Sequence, residues 1–328
     1  MKPILAITMG DINGVGPEIL VQASTHSSFV EDAVPLVIGS SSVYETVRSS
    51  YGKGLPFQLI DHPDEAREVT GAIPFWAASD TDIDWTPGKL SAEAGKQAMD
   101  WLDVSIDLTL NNSTHGIVTC PINKEGIHMA GYTYRGHTDY LAEKTSAPSY
   151  RMCLFTETLR VIHVSDHVPL RQAIDDLNPE IIVESVKIAE DALNRLGTST
   201  KHIGVAGLNP HAGEAGAFGT EEIDIVIPAV KACVAQGIHC TGPHSPDTLF
   251  NRAFDGEFDA VICLYHDQGH IPMKLVAMDD GVNVTLGLPI VRTSVDHGTA
   301  YDIAGTHTAR ENSLLAATRM AAQLSRTL

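Results

Sequence analysis

Short apolar runs alternate with longer amphipathic segments along the 328-residue chain. The runs at 4–9 (ILAITM) and 35–40 (PLVIGS) have the length and composition of buried strands, whereas 91–110, 178–196 and 313–325 place apolar residues at helical spacing. Strands that alternate with helical segments are typical of an α/β protein. The pattern therefore predicts an α/β fold for one large domain or two ordinary ones.

One stretch, 261–305, is unusually dense in polar groups beside apolar runs. It contains an apolar strand, a YHDQG segment predicted as a turn, an isolated lysine, an isolated arginine and a Gly-rich HGTAYDIAG loop. This combination indicates a functional site rather than ordinary surface. We expect the rest of the chain to supply partners for it.

The composition restricts the class of partner. A net charge of -19 argues against nucleic acid and anionic membranes, because both need clustered Lys and Arg, but a small anionic substrate needs only a few cations. The five cysteines form no C-x-x-C pair, and Cys120, Cys153 and Cys263 lie in apolar runs, a pattern that fits a reducing compartment. No apolar run is long enough for a signal peptide or a bilayer span, so we expect a soluble cytoplasmic protein.

Three histidines each follow a strand-like run: His167 after VIHVSD, His211 after GVAGLNP and His266 after AVICLY. Ligands of α/β proteins gather at the carboxyl ends of strands, and neutral imidazole binds divalent transition metals well. Each histidine alone is better explained as a hydrogen-bonded side chain at a loop entrance, but the three together favour a catalytic metal site. His163 and His270 are the competing candidates, and we interpret His163 as a satisfied, half-buried side chain.

Two cations interrupt apolar segments. Lys274 lies in IPMKLVAM and Arg292 in LPIVRTSV, and a cation in such a run either reaches solvent or meets an anion. Arginine suits bidentate binding of phosphate or carboxylate, and Asn283 adds a neutral donor and acceptor nearby. A structural ion pair is the alternative for Arg292. For Lys274 the nearest acids in sequence are Asp267 and the pair at 279–280.

Two Gly-rich loops are candidates for a cofactor. The first, at 10–18 (GDINGVGPE), is explained equally well by a tight turn and by an anion site, and Ile19 breaks the dinucleotide fingerprint. The second resembles the HGSAPDIAG-type loop that holds the adenosine of NAD in isocitrate and isopropylmalate dehydrogenases, and a helix cap is the alternative. Its predicted cofactor-binding residues are His297, Gly298, Thr299, Ala300, Asp302 and Ile303.

Eight segments in order resemble the 4-hydroxythreonine-4-phosphate dehydrogenase family: MGDINGVGPE, CPINKEG, GHTDYLAE, HVPLRQAI, GLNPHAGEAGAFGTEE, GPHSPDTLF, YHDQGHIPMK and DGVNVTLGLPIVRTSVDHGTAYDIAG. The match runs from about Ile7 to Ala316. Two departures occur, GDINGVGPE where many members have GDPAGIGPE and Asp166 where threonine commonly precedes the metal histidine. YHDQGHIPMK resembles the branch that acts on sugar-acid phosphates.

The resemblance implies a homodimeric NAD-dependent dehydrogenase, with NADP as the alternative cofactor. It implies oxidation of 4-phosphooxy-L-threonine at C3 and decarboxylation to 3-amino-2-oxopropyl phosphate in pyridoxal phosphate (vitamin B6) synthesis. His167, His211 and His266 would bind Zn, Mg, Co or Mn, with the last from the other subunit. The implied substrate contacts are His137, Thr138, Lys274, Asn283 and Arg292, and Lys274 and Asp267 are candidates for the base.

The same resemblance implies an isocitrate/isopropylmalate-dehydrogenase-like fold of two α/β/α domains with a cleft between them. We place one domain at 1–130 plus 280–328 and a central one, with the dimer contacts, at 131–279. D-threonate 4-phosphate or D-erythronate 4-phosphate is the alternative substrate, and relatives act on aromatic dihydrodiols. A three-histidine zinc hydrolase or aldolase and a non-catalytic metabolite-binding protein are the alternatives of other classes.

Overall fold

The structure, a computed structural model, describes residues 1–277 and 281–326. Contacts between Cα atoms divide the chain into two units, Met1–Ser149 with Leu288–Leu328 (the terminal unit) and Tyr150–Gly287 (the central unit). Compared with the expected boundary at 130/131, this division assigns 131–149 to the terminal unit. It also assigns 281–287, which the sequence placed in the terminal domain, to the central unit.

The strands of the described residues are, in chain order, β1 (Ile4–Thr8), β2 (Val34–Ile38), β3 (Phe57–Ile60), β4 (Ile73–Trp76), β5 (Gly116–Thr119), β6 (Arg151–Phe155), β7 (Arg160–His163), β8 (Ile203–Ala206), β9 (Cys240–His244), β10 (Ala260–Cys263), β11 (Val282–Leu286) and β12 (Arg292–Val295). The helices are α1 (Gly16–Ala23), α2 (Ser28–Glu31), α3 (Ser41–Tyr51), α4 (Ala92–Leu110), α5 (Lys124–Met129), α6 (His137–Lys144), α7 (Leu170–Asp175), α8 (Pro179–Arg195), α9 (Ile227–Ala235), α10 (Pro246–Phe254), α11 (His266–Val276) and α12 (Asn312–Leu324). The predicted α/β fold is confirmed.

The terminal unit is built on parallel strands in the order β3-β4-β2-β1-β5-β12. Strand β1 is entirely buried, as its unbroken apolar run predicts for a strand covered on both faces. Helix α6 belongs to this unit, and Tyr140 on it donates a hydrogen bond to Asp103 on α4 at 2.6 Å. That bond helps to position His137 and Thr138, which open α6.

The central unit has the strand order β11-β6-β7-β10-β8-β9. Strands β11, β6 and β7 pair antiparallel, while β7, β10, β8 and β9 run parallel. Its core packs Leu154, Val161, Leu249, Phe258 and Met273, with other buried residues, around the middle of this sheet. The parallel strands therefore end along one edge, where their following loops meet.

Most of the predicted elements are confirmed, and one prediction is wrong. Segments 91–110 and 178–196 contain α4 and α8, α12 overlaps 313–325 but begins one residue earlier, and all five cysteines are buried and free. The YHDQG segment is not a turn, because α11 begins at His266 and continues to Val276. The prediction failed because Pro272, which normally interrupts a helix, is accommodated inside α11. No helix in the described part of the chain is long and apolar enough to cross a membrane.

A ring of hydrogen bonds closes the outer edge of the central unit. His202 Nδ1 donates to the Glu257 carbonyl at 3.0 Å, so its Nε2 accepts from Thr241 Oγ1 at 2.9 Å. Thr241 in turn accepts from His244 Nε2 at 2.9 Å, and His244 Nδ1 faces Arg252 Nη1 at 3.4 Å. Arg252 closes the ring by a bidentate pair with the Glu257 carboxylate. His244 can accept from Arg252 in this ring only while its imidazole is neutral.

We expect the stability of the central unit to fall in mild acid through His244. Burial, followed by the Arg252 charge, lowers the pKa of His244 below its ordinary value. Its contribution is therefore present above about pH 6.5 and is lost as the pH falls below that value. Between about pH 7.5 and about pH 5.5, the thermal unfolding midpoint should fall further in the natural protein than in His244→Gln, which cannot titrate. An equal fall in both proteins would contradict this assignment.

Candidate active site

The three predicted metal histidines follow three adjacent parallel strands. Val161 in β7, Val261 in β10 and Gly204 in β8 lie side by side in register. His167, His266 and His211 come within seven residues of these positions in their respective chain segments. The sheet order β7-β10-β8 therefore brings all three to the same edge, where α/β proteins bind ligands.

Two of these histidines are close neighbours. The ring centroids of His167 and His266 are 5.3 Å apart, and both side chains line a cavity of about 280 Å³. His266 Nδ1 lies 2.7 Å from Asp267 Oδ1, so this nitrogen donates to the carboxylate, and the neutral ring then has its lone pair on Nε2. A metal-binding histidine usually donates the hydrogen of its other ring nitrogen to a carboxylate, which orients the ring. The cavity is lined by Asp166, His167, Val168, Leu170, Ala173, Tyr265, His266 and Asp267.

The competing histidines, His163 and His270, form a chain of contacts that ends on the His266 ring. His163 is buried and its Nδ1 donates to the Met152 carbonyl at 3.1 Å, so its Nε2 accepts from His270 Nδ1 at 3.1 Å. The His270 ring stacks on His266 with centroids 3.6 Å apart. Burial, and then neighbouring histidines, lowers the pKa of His163 to about 3 and that of His270 to about 4. His163 is thus satisfied, as predicted, but it is buried rather than half-buried.

His211 lies in an unusual backbone segment. Residues 211–215 all have positive φ, and four of the five carry side chains, at about 1–2 kcal/mol each in this left-handed region. The His211 side chain is 59% exposed, and its Nδ1 lies 3.8 Å from Asp247 Oδ2. The sequence predicted only a Gly-rich loop here. Strain of this kind is retained where the surrounding structure enforces it, and it often marks functional sites.

The donor set fits a divalent transition metal in its chemistry. It offers imidazole nitrogens at adjacent strand ends, and one of them is oriented by a carboxylate. Within residues 1–277 and 281–326, however, no three His, Cys, Asp or Glu side chains of the single chain gather closely enough to hold an ion. One chain therefore brings His167 and His266 together without the third predicted ligand.

In the terminal unit, Arg292, the arginine predicted to bind an anion, is a buried guanidinium. Arg292 is 3% exposed, its Nη2 donates to Thr119 Oγ1 at 2.8 Å, and burial lowers its pKa to about 9. His137, the first residue of α6, has its pKa held well below the ordinary value by burial and by the Arg292 charge. Thr138 follows it. A neutral imidazole and a buried cation thus lie within electrostatic reach of each other, a combination suited to an anionic group.

The central unit places the other two predicted substrate residues. Lys274 lies one helical turn after His270 on α11, and its charge contributes to the lowered pKa of His270. Asn283 lies on β11, and its buried Oδ1 has no hydrogen-bond partner among the residues that the structure describes. A buried acceptor of this kind is costly unless a ligand donates to it. The acids at 279–280, considered as partners of Lys274, lie outside the described residues.

The two Gly-rich loops pack against each other. Val15 N–H donates to the Thr299 carbonyl at 3.0 Å, and a Cβ on Gly14 would come within 2.7 Å of the same oxygen. Tyr301 donates to the buried Asp11 carboxylate at 2.6 Å. These contacts favour the tight-turn interpretation of the first loop. The sequence does not predict the Asp11–Tyr301 pair, because nothing in either loop signals a contact across 290 residues.

The predicted cofactor residues form a compact loop. Thr299 is 9% exposed, Ala300 has a φ of +45°, and the N–H groups of Ile303 and Ala304 both donate to the Ala300 carbonyl. His297 is exposed, and a Cβ on Gly298 would meet open space. The helix-cap alternative is not what the structure has, since the cap residue of α12 is Glu311.

Known proteins resemble the chain over nearly its whole length. The family of the pyridoxal phosphate biosynthetic protein PdxA matches residues 31–321. A D-threonate 4-phosphate dehydrogenase of Cupriavidus necator is 43% identical over 98% of this chain and 97% of its own. A 4-hydroxythreonine-4-phosphate dehydrogenase of Desulfosudis oleivorans is 42% identical over 98% and 95%. The crystal structure of 4-hydroxythreonine-4-phosphate dehydrogenase from Klebsiella pneumoniae superimposes with a TM-score of 0.90 at 40% identity, over 99% of each chain.

The fold and these relatives define an enzyme of the dehydrogenase class that oxidises a phosphorylated hydroxy acid. The chain belongs to the PdxA family. The resemblance predicted from the eight sequence segments is thereby confirmed. Because the chain belongs to a dehydrogenase family, the hydrolase, aldolase and metabolite-binding alternatives no longer apply.

We expect the bond between Tyr301 and Asp11 to stabilise the terminal unit. Burial raises the pKa of Asp11, and the Tyr301 hydroxyl opposes that shift by donating to the carboxylate. Tyr301→Phe should lower the free energy of unfolding by about 1.5–3 kcal/mol, the usual range for a hydrogen bond to a charged group. Urea unfolding measures this loss. The matched control is Tyr134→Phe, which removes an exposed bond to Glu143 and should change stability by no more than about 0.5 kcal/mol.

Proposed function

We propose that this enzyme oxidises D-threonate 4-phosphate at C3, with NAD as the hydride acceptor and a divalent metal ion bound. Removal of hydride from C3 and of the hydroxyl proton gives a 3-keto acid. This acid loses CO₂ from C1 to give dihydroxyacetone phosphate. The observation that carries the proposal is the buried Arg292 beside the neutral His137, which suits a phosphate or carboxylate group.

The charge along α11 favours a hydroxyl over an amine at C2 of the substrate. His266, His270 and Lys274 recur at four-residue spacing on this helix, and the Lys274 charge reaches His270. An ammonium group would be repelled there, whereas a neutral hydroxyl would not. The relative from Cupriavidus necator, which is named for D-threonate 4-phosphate, supports the same choice.

The contacts of each predicted residue suggest its role in the reaction. Arg292, with His137 and Thr138, binds an anionic end of the substrate. Asn283 accepts a hydrogen bond from a substrate hydroxyl through its enclosed Oδ1. Asp267 orients His266 by holding its Nδ1 hydrogen. Lys274, as a cation on α11, is a proposed contact for an anionic oxygen of the substrate. The backbone of 297–303 is the proposed contact for NAD.

His167, His211 and His266 would hold the metal. When bound, a divalent ion supplies a Lewis acid that lowers the pKa of a coordinated hydroxyl. Since one chain brings together only two of these histidines within the described residues, we propose that the active enzyme is a homodimer whose subunits share the site. The five free thiols are consistent with a cytoplasmic location.

Exposed apolar side chains support the dimer. They lie on the three segments that carry the histidines, and include Leu170 on α7, Phe218 after the His211 turn, and Ile271 and Leu275 on α11. Leu275 is 84% exposed. Exposed large apolar side chains that share one surface mark a contact with another protein, and a second copy of the chain is the proposed partner.

The second candidate substrate is 4-phosphooxy-L-threonine, which would give 3-amino-2-oxopropyl phosphate in pyridoxal phosphate synthesis. The relative from Desulfosudis oleivorans and the structure from Klebsiella pneumoniae, both named for 4-hydroxythreonine 4-phosphate, support it. The two substrates carry the same phosphate, carboxylate and C3 hydroxyl. They differ in configuration and in the group at C2.

A substrate panel tests the proposal. NADH formation is measured with D-threonate 4-phosphate, D-erythronate 4-phosphate, 4-phosphooxy-L-threonine and an aromatic dihydrodiol, each with added Zn²⁺, Co²⁺, Mn²⁺ or Mg²⁺ and again with EDTA. We expect the largest kcat/KM with D-threonate 4-phosphate and its loss with EDTA. A preference for 4-phosphooxy-L-threonine would transfer the assignment to the second candidate. Turnover that EDTA does not reduce would contradict the proposal that activity needs a bound metal ion.

Arg292→Lys tests the anion site. Lysine keeps the charge but loses the planar, bidentate donor set, so kcat/KM should fall by roughly 10- to 100-fold, mainly through a higher KM. The matched control is Arg151→Lys, a second buried arginine at the first position of a strand, whose partners are Ser185 and Glu184. That variant should keep kcat/KM near the natural value. Similar losses in both variants would show that only stability was affected.

A further inference from the structure

The segment that carries His211 is held by one buried carboxylate. Glu222 is the first residue of a short π-helical segment, Glu222–Val226, and it is 2% exposed. Its Oε1 accepts hydrogen bonds from the backbone N–H groups of Leu208 and Asn209 at 2.8 and 2.7 Å, and its Oε2 accepts from Asn209 Nδ2 at 2.9 Å. The carboxylate thus fixes the chain two to three residues before His211.

The same carboxylate lies against the left-handed turn itself. Gly213 is the central residue of that turn, with a φ of +79°, and a Cβ there would be 2.6 Å from Glu222 Oε2. The Ala212 N–H donates to the Asn209 carbonyl at 3.1 Å, which joins the fixed segment to the turn. The Glu222 carboxylate therefore restrains the five left-handed residues on one side.

A second carboxylate extends the restraint. Asn209 Nδ2 also donates to Glu221 Oε2 at 2.7 Å, so adjacent glutamates converge on one amide. A Cβ on Gly219 would clash with that Glu221 oxygen and with Asn209 Nδ2. Asn209 is therefore the link between the strand end before His211 and the start of the helical segment that follows the loop.

We infer that Glu222 is a positioning residue for His211: its carboxylate, linked through Asn209, keeps the left-handed turn in the conformation that presents the imidazole. Glu222 acts through the backbone and need not touch metal or substrate. The inference rests on the proposed role of His211 as a metal ligand. Groups that fix the orientation of a metal ligand are commonly needed for full metal affinity.

The test compares Glu222→Gln with Glu214→Gln, which makes the same chemical change on an exposed residue of the same turn. Two quantities are measured on the full chain: amide hydrogen exchange of 207–216 without metal, and the Kd for Zn²⁺ by competition with a chromophoric chelator. Glu222→Gln should speed exchange at Leu208 and Asn209 and raise the Kd by about 10- to 100-fold. Glu214→Gln should leave both unchanged.

A second pair of variants keeps the test decisive if Glu222→Gln does not fold. Gly213→Ala places a methyl group against the Glu222 carboxylate, whereas Gly237→Ala makes the same change at a φ of +84° with open space around it. We expect a raised Zn²⁺ Kd only for Gly213→Ala. His211→Ala combined with Gly213→Ala should bind Zn²⁺ no more weakly than His211→Ala alone, because the two changes act through one ligand.

The outcomes separate the inference from the function on which it rests. If the natural protein binds no Zn²⁺, the proposed metal site is wrong. If it binds Zn²⁺ and Glu222→Gln or Gly213→Ala keeps the natural Kd, the metal site stands and the positioning role is overturned. Faster exchange at 207–216 with an unchanged Kd also overturns it, since Glu222 would then stabilise the turn without serving His211.

Discussion

Parallel pairing of β7, β10 and β8 is the constraint on which the central unit depends. Parallel strands place their carboxyl ends at one edge, so residues that are about 50 to 100 positions apart in sequence arrive together. His167, His266 and His211 become neighbours in strand order for this reason alone. Their segments then diverge, since His167 precedes α7, His266 begins α11 and His211 enters a left-handed turn.

Buried polar groups then decide the local geometry. Asp11, His163 and Glu222 are each nearly inaccessible, and each is satisfied by hydrogen bonds that also fix a functional segment. Leaving any of these groups unpaired in the interior would cost free energy, so each bond restricts the backbone around it. The histidine stack illustrates the result: the Met152 carbonyl sets the tautomer of His163, which sets that of His270, which stacks on His266.

Much of the fold was accessible from sequence, because it follows local periodicity. The strands β1 and β2 are short apolar runs of strand length, and the helices α4, α8 and α12 have apolar residues at helical spacing. The failures lie where tertiary contacts override local preference. Pro272 within α11 and the four side-chain-bearing residues of the left-handed turn both contradict intrinsic backbone preference, and in the turn the Glu222 carboxylate supplies part of the restraint.

The sequence by itself determined the α/β class, the family and the residue types available for chemistry, because these depend on periodicity and on the order of short segments. Only the tertiary structure decided which polar groups meet. It paired Tyr301 with Asp11, engaged Asp267 with His266, and supported the His211 turn with Glu222. Most of these pairings join residues that are distant in sequence or depend on backbone conformations with no local signal, so they form only when packing brings the polar groups together.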